Sequence, residues 1–347
     1  MNISSVFIIQ LAQFIGGIAV LIFIHELGHF LAARLFKVEV EEFGIGFPPR
    51  LFTLFEAGGT KFSLNSIPLG GFVRLKGEND PSVPGGLAAA KPWTRLGVIF
   101  AGPLTNLGLG VILSIFLFFR MGEPILDRVQ VQFVAPLSPA ENAGLQVGDI
   151  ITHFAGQDIK STDQLHEAIY SHLGEPQPMI YQRGEQTYTV TITPRNPATP
   201  DEGAIGILMG YETRPTTWAK AIPRGLNAAF QYGKAVFLLP INLVRGNITP
   251  DQARPVGYKG MFDIYQQVSN PLWFFTMITM SLGIFNLFPI PALDGGRIVL
   301  TLPEIIIRRR VPPQYENVIH LIGFTVLLLL LIYINLQDFL NPVQLPY

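Results

Sequence analysis

Apolar runs as long as the hydrocarbon core of a bilayer is thick recur along this chain. A spanning helix needs roughly 20 largely apolar residues, and three segments supply them: about 6–36, about 95–119 and about 318–337 (VIHLIGFTVLLLLLIYINLQ). A fourth, about 269–289 (SNPLWFFTMITMSLGIFNLFP), is apolar and aromatic, ends in a proline-rich turn and counts as spanning. Residues 226–244 contain Asn227, Gln231, Lys234, Pro240 and Asn242, with Trp218, Ile222, Leu226 and Phe230 at helical spacing. That pattern predicts an amphipathic helix lying at the interface rather than crossing. The expected class is a polytopic α-helical membrane protein with about four transmembrane helices.

Composition agrees and excludes alternatives. The chain is 49% hydrophobic and 14% charged, which suits membrane helices carrying some soluble mass. A formal net charge of −1 and the lack of a basic stripe leave no nucleic-acid footprint. There is no cysteine, so disulfides, thiolate metal sites and cysteine nucleophiles are excluded together. Any metal must be held by His, Asp or Glu. The first run has no basic n-region and no small-residue cleavage pattern, and is expected to be a retained helix.

Between the second and third spans the character changes. Alternating segments RVQVQFV and YTVTITP flank a helical STDQLHEAIYSHL, predicting a small mixed α/β soluble domain over 125–195. NPATPDEG, residues 196–203, reads as its exit linker. The expected layout is thus 1–124 (first two helices), 125–195 (soluble domain), 196–267 (linker and interfacial helix) and 268–347 (last two helices). Lys37, Arg50, Lys61, Arg74, Lys76, Lys91 and Arg95 fill the first connection, and Arg297 and Arg308–Arg310 the last, while the tails carry no basic residue. Both connections are therefore expected in the cytoplasm, with the soluble domain and both termini outside.

Inside the first run stands HELGH, residues 25–29. His25 and His29, four apart on a helix, share one face within reach of a single ion, and Glu26 lies about 100° round the helix beside them. In an H-E-x-x-H arrangement neutral imidazoles hold Zn²⁺, which lowers the pKa of a bound water to about 7 while the glutamate takes its proton. Ionisable residues at membrane depth usually mark function or a buried pair. A third ligand is required. His153, His166 and His172 belong to the soluble domain and His320 opens the last span; the better choice is Asp294, expected to end the third apolar helix ahead of two glycines. If the chain runs out-to-in, back out, then in again, His25 and Asp294 reach one depth, provided 226–244 does not cross. Zn²⁺ with ionised Asp294 and Glu26 and two neutral imidazoles is formally neutral, which eases burial.

HELGH, AGPLTN (101–106) and NLFPIPALDGG (286–296) together make the chain resemble the site-2 protease family of intramembrane zinc metalloproteases, in particular the bacterial branch that includes the regulator of sigma-E protease. The similarity runs from the first helix to the last. It implies zinc as cofactor, His25, His29 and Asp294 as its ligands and Glu26 as catalytic base. By the same resemblance Asn286, in the N-x-x-P-x-P-x-L-D-G stretch, helps hold the substrate strand, and Asn106, in G-P-x-x-N, packs close to the site as a second substrate-binding residue. Asn106 read by itself fits an interhelical hydrogen bond nearly as well. The implied activity is cleavage of single-pass transmembrane proteins, such as anti-sigma factors or signal-peptide remnants, near the cytoplasmic face of a bacterial inner membrane.

EFGIGFPPRLF (42–52) and TKFSLNSIPLGGFVRL (60–75) resemble the family's membrane-reentrant β element, although Pro48 stands where the family usually has glycine. Phe62 and Leu64 alternate with polar positions, as a strand or a plain cytoplasmic hairpin would require. LSPAENAGLQVGDIITHFAGQDI (137–159) resembles a bacterial PDZ domain through Ala140, Ala143, Gly144, Leu145, Gly148, Asp149 and Ile150. Two other functions fit parts of the chain: a non-catalytic PDZ membrane scaffold, which would lack about one zinc per chain, and a metal transporter, which leaves Glu26 unexplained.

Overall fold

A computed structural model describes residues 3–198, 203–249, 253–268 and 270–343; residues 199–202 of the expected linker lie outside them. The chain divides into two compact units, Met1–Leu117 with Pro223–Gln344, and Phe118–Ile222.

In the first unit, α1 (Ile3–Leu35), α2 (Pro92–Met121) and α9 (Pro313–Leu340) are each long and apolar enough to cross a membrane. Leu321, Ile322, Phe324 and Leu329 of α9 are each more than half exposed, as suits side chains facing acyl chains rather than protein. The α1–α2 crossing is tight. A Cβ on Gly28 would sit 2.2 Å from Thr105 Oγ1 and 2.5 Å from the Ala101 carbonyl.

The fourth predicted span is shorter than expected. Only α7 (Pro271–Asn286) forms, and its 16 residues rise about 24 Å. Pro289 and Pro291 cannot continue a helical ladder, so the chain turns and restarts as α8 (Asp294–Ile306). Asp294 therefore opens a helix instead of ending one. Residues 226–244 are helical within α5 (Trp218–Val244), which is not among the helices apolar enough to cross. Along this helix the Ser114 hydroxyl donates to the Gly225 carbonyl (3.0 Å), and Tyr232 Oη lies 2.7 Å from Ser281 Oγ on α7. The start of α6 (Tyr258–Gln267) has no capping side chain of its own. Instead the fully buried Asp338 of α9 accepts from the Gly257 and Gly260 N–H groups and from Arg254, giving residues 253–261 a structural role.

β1 (Val40–Ala57) and β2 (Thr60–Leu75) form an antiparallel sheet folded back on itself. Ile45 is opposite both Gly71 and Leu64, so residues 40–47 run between 71–75 on one side and 61–67 on the other. Glu42, 3% exposed, fixes this arrangement from within. It accepts from Ser63 Oγ at 2.7 Å and from Arg50 Nε and Nη2 at 2.9 and 2.7 Å, and lies 3.2 Å from Arg74. The consequence is a sheet whose outer segment, 71–75, runs alongside α1.

The second unit is a six-stranded antiparallel sheet. Its strands are β3 (Glu123–Val134), β4 (Ile150–Phe154), β5 (Gln157–Asp158), β6 (Gln177–Arg183), β7 (Gln186–Ile192) and β8 (Ile207–Arg214), in the order β7-β6-β4-β3-β8 with β5 on β4. The helices α3 (Pro139–Asn142) and α4 (Thr162–Tyr170) accompany it, and Ile151, Phe154, Leu165 and Met179 are buried in its core. The sheet extends past residue 195, because β8 pairs with β3. Asp149 of the G-D dipeptide is structural. It accepts two hydrogen bonds from Arg183 (2.7 and 2.8 Å) and one from the Gln146 N–H (2.8 Å).

Candidate active site

His25, Glu26 and His29 project from the C-terminal half of α1, and Asp294 arrives from the first residue of α8. Three donor atoms converge. His25 Nε2 and His29 Nε2 are 3.2 Å apart, and Asp294 Oδ2 lies 3.2 Å from the first and 3.4 Å from the second. Zn–N and Zn–O bonds of about 2.0–2.1 Å at tetrahedral angles separate neighbouring donor atoms by about 3.3 Å. The edges of this triangle therefore match three corners of a zinc tetrahedron, and Asp294 Oδ2 is buried with no hydrogen-bond donor among the described residues. Among those residues, His25, His29 and Asp294 are the group able to hold a metal ion; His320, His153, His166 and His172 lie elsewhere.

Each imidazole is backed by a partner from α2. His29 Nδ1 donates to the Val98 carbonyl at 2.8 Å, which leaves the Nε2 lone pair facing His25 Nε2 and Asp294 Oδ2. Behind His25, Asn106 Nδ2 is 3.4 Å from Nδ1, while Asn106 Oδ1 has no partner among the described residues. With the Asn106 amide turned over, that oxygen faces a protonated Nδ1. Gly102 gives His29 its room: a Cβ there would lie 2.2 Å from Nε2.

Glu26 stands apart from the triangle. Its Oε2 accepts from the Val73 N–H at 3.1 Å, so the outer β2 segment touches the glutamate directly. A cavity of about 500 Å³ opens over His25, Glu26, His29 and Asp294, with Val73 and Asn286 in its wall. Of the two asparagines singled out from the sequence, Asn286 lines this cavity, whereas Asn106 is fully buried behind His25 and does not. Sequence reasoning missed the backbone contributions of Val98 and Val73, which carry no side-chain signal. It also missed the Glu78–Arg297 ion pair in the cavity wall.

The sequence profile of peptidase family M50 matches residues 13–330. The chain belongs to peptidase family M50, the site-2 protease family. A protein of Clostridium perfringens named as a candidate zinc metalloprotease is 33% identical over 93% of this chain and 96% of its own length. Zinc metalloprotease RasP of Oceanobacillus iheyensis is 26% identical over 94% of this chain and 97% of its own length. The PDZ domain of an SdrC-like protein from Listeria monocytogenes is 28% identical over 24% of this chain and 87% of that domain, with a TM-score of 0.22. As an M50 peptidase, the chain has its H-E-x-x-H segment and its L-D-G segment inside the matched region.

Proposed function

We propose that this M50 peptidase is an intramembrane zinc endopeptidase that cuts the transmembrane segments of single-pass membrane proteins near the cytoplasmic face of a bacterial inner membrane. The observation that carries the reading is the triangle of His25 Nε2, His29 Nε2 and Asp294 Oδ2, whose 3.2–3.4 Å edges suit one tetrahedral zinc. Zinc held there supplies a Lewis acid that brings water near neutral pKa and polarises a peptide carbonyl. Glu26, in the same cavity and outside the ligand set, takes the proton of the attacking water and returns it to the leaving amine.

A helical substrate hides its carbonyls in its own hydrogen bonds and must unwind to be cut. The 71–75 segment offers the freed backbone an edge to pair with, as in β-augmentation, and Val73 N–H on that edge already faces Glu26. Leu51, Phe52 and Phe55 at the far end of the sheet are more than half exposed, which supports its insertion among lipid tails. Asn286 in the cavity wall is the proposed substrate contact. Asn106, sealed behind His25, acts on substrate only through that imidazole. The unit over Phe118–Ile222 is a PDZ-like domain outside the cytoplasm that limits which chains approach.

Glu26→Gln tests the assignment. The purified variant is expected to hold about one zinc per chain, like the parent, and to lose cleavage of a reconstituted membrane substrate by at least ~10²-fold. Retained turnover would remove Glu26 from the role of base, and a parent without zinc would remove the metal.

A further inference from the structure

We infer that His320 and Gly323 of α9 are positioning residues for Asp294: together they fix the turn that delivers its carboxylate to the two histidines. The inference rests on the zinc reading above. It starts from the turn itself. Ala292, two residues before Asp294, has φ +75°, a left-handed conformation that a residue with a Cβ keeps only when its surroundings hold it. Locally the Leu293 N–H donates to the Ile290 carbonyl at 3.2 Å and closes the turn, but no side chain caps the start of α8.

The hold from outside the turn comes from α9. His320 Nδ1 accepts the Ala292 N–H at 2.9 Å, which requires a neutral ring with its proton on Nε2. His320 Nε2 is buried and has no partner among the described residues, so the accepting nitrogen is the polar atom this histidine uses. One turn further along the same face, Gly323 lets Pro291 press against the helix. A Cβ there would lie 2.4 Å from Pro291 Cβ and 2.7 Å from the Pro291 carbonyl oxygen. These contacts are not general packing of α9, whose Leu321, Ile322 and Phe324 are 57–65% exposed. The helix touches the turn with a hydrogen-bond acceptor and a missing side chain, at two successive positions of one face. His320 is thereby distinct from the ligands themselves, which are completed by His25, His29 and Asp294.

The test measures zinc affinity of the full chain in detergent by competition with a chelator, beside cleavage at limiting and at excess zinc. His320→Leu removes the acceptor at similar volume and is expected to weaken zinc binding at least about tenfold, with cleavage partly restored by excess zinc. His320→Asn, whose Oδ1 stands where Nδ1 stood, is expected within about threefold of the parent. Gly323→Ala, which keeps the histidine but pushes Pro291 away, is expected to weaken zinc as well. Metal-free melting temperatures of the variants and parent should agree, since a generally loosened fold would move them and a misplaced ligand would not. A His320→Leu protein that binds zinc as tightly as the parent overturns the inference, as does His320→Asn behaving like His320→Leu. If His320→Leu does not fold, Gly323→Ala decides, and unchanged affinity there overturns it. A parent that binds no zinc sinks the underlying reading instead, which separates the two failures.

Discussion

Gly102 shows how narrow the tolerance around His29 is. Its missing side chain is what lets α2 lie against the imidazole, and a Cβ would fall 2.2 Å from the nitrogen that faces Asp294. Gly102→Ala is therefore expected to keep the helices, because alanine favours α2 by about 1 kcal/mol over glycine, while displacing His29 and lowering zinc affinity by ten- to a hundredfold. Chelator competition on the purified variant reads this, and parental affinity would show that His29 is not held where the metal needs it. At this scale the sequence was informative about side chains and silent about backbone. HELGH and the L-D-G aspartate could be read because two histidines four apart and a carboxylate amid apolar runs are improbable without a purpose. Val98 and Val73 could not, since what they contribute is a carbonyl and an N–H. Asn106 was legible as close to the site but not on which side of His25 it stands, because that depends on how α2 is rotated against α1.

Among the elements, the folded sheet of β1 and β2 depends on a carboxylate that no motif announced. Glu42 is 3% exposed and draws Ser63, Arg50 and Arg74 from three different segments. Burial alone would raise its carboxyl, but the Ser63 hydroxyl and the Arg50 and Arg74 guanidiniums outweigh that and hold it below its ordinary value of 4.5. A depressed carboxyl contributes stability that is fully present above the unfolded value and is lost as pH falls through the folded one. Glu42→Gln should thus lower the melting temperature at pH 7 through a loss of about 1.5–3 kcal/mol. The gap to the parent should close as pH drops below about 4; a gap independent of pH would mean that charge is not what Glu42 contributes. The same scale holds the main departure from expectation. Hydropathy reads length and polarity but not where a ladder must break, so a run over 269–289 looked like one span, whereas Pro289 and Pro291 end α7 after 16 residues and hand Asp294 to the start of α8. Residues 226–244 were read correctly as helical because their period is 3.6, and their polar residues find partners such as Ser281.

For the molecule as a whole, closure of the site constrains the parity of the crossings. His25 and His29 on α1 meet Asp294 at the start of α8, so the chain between them must cross an even number of times. Counting α2 and α7 as the crossings satisfies this, and adding α5 as a third would carry Asp294 to the wrong face. Basic residues in the 37–95 and 297–317 connections support the proposal that both lie on the cytoplasmic side, which predicts residues 118–222 on the other. The absence of cysteine makes the test direct. Ser82→Cys, at an exposed position in the first connection, and Glu185→Cys, exposed between β6 and β7, each introduce one thiol into a chain that has none. In intact spheroplasts a membrane-impermeant maleimide should label Glu185→Cys and leave Ser82→Cys unlabelled until the membrane is permeabilised. Labelling of both before permeabilisation would require α2 not to span, and labelling of Ser82→Cys alone would turn the protein over and move the peptidase chemistry to the outer side.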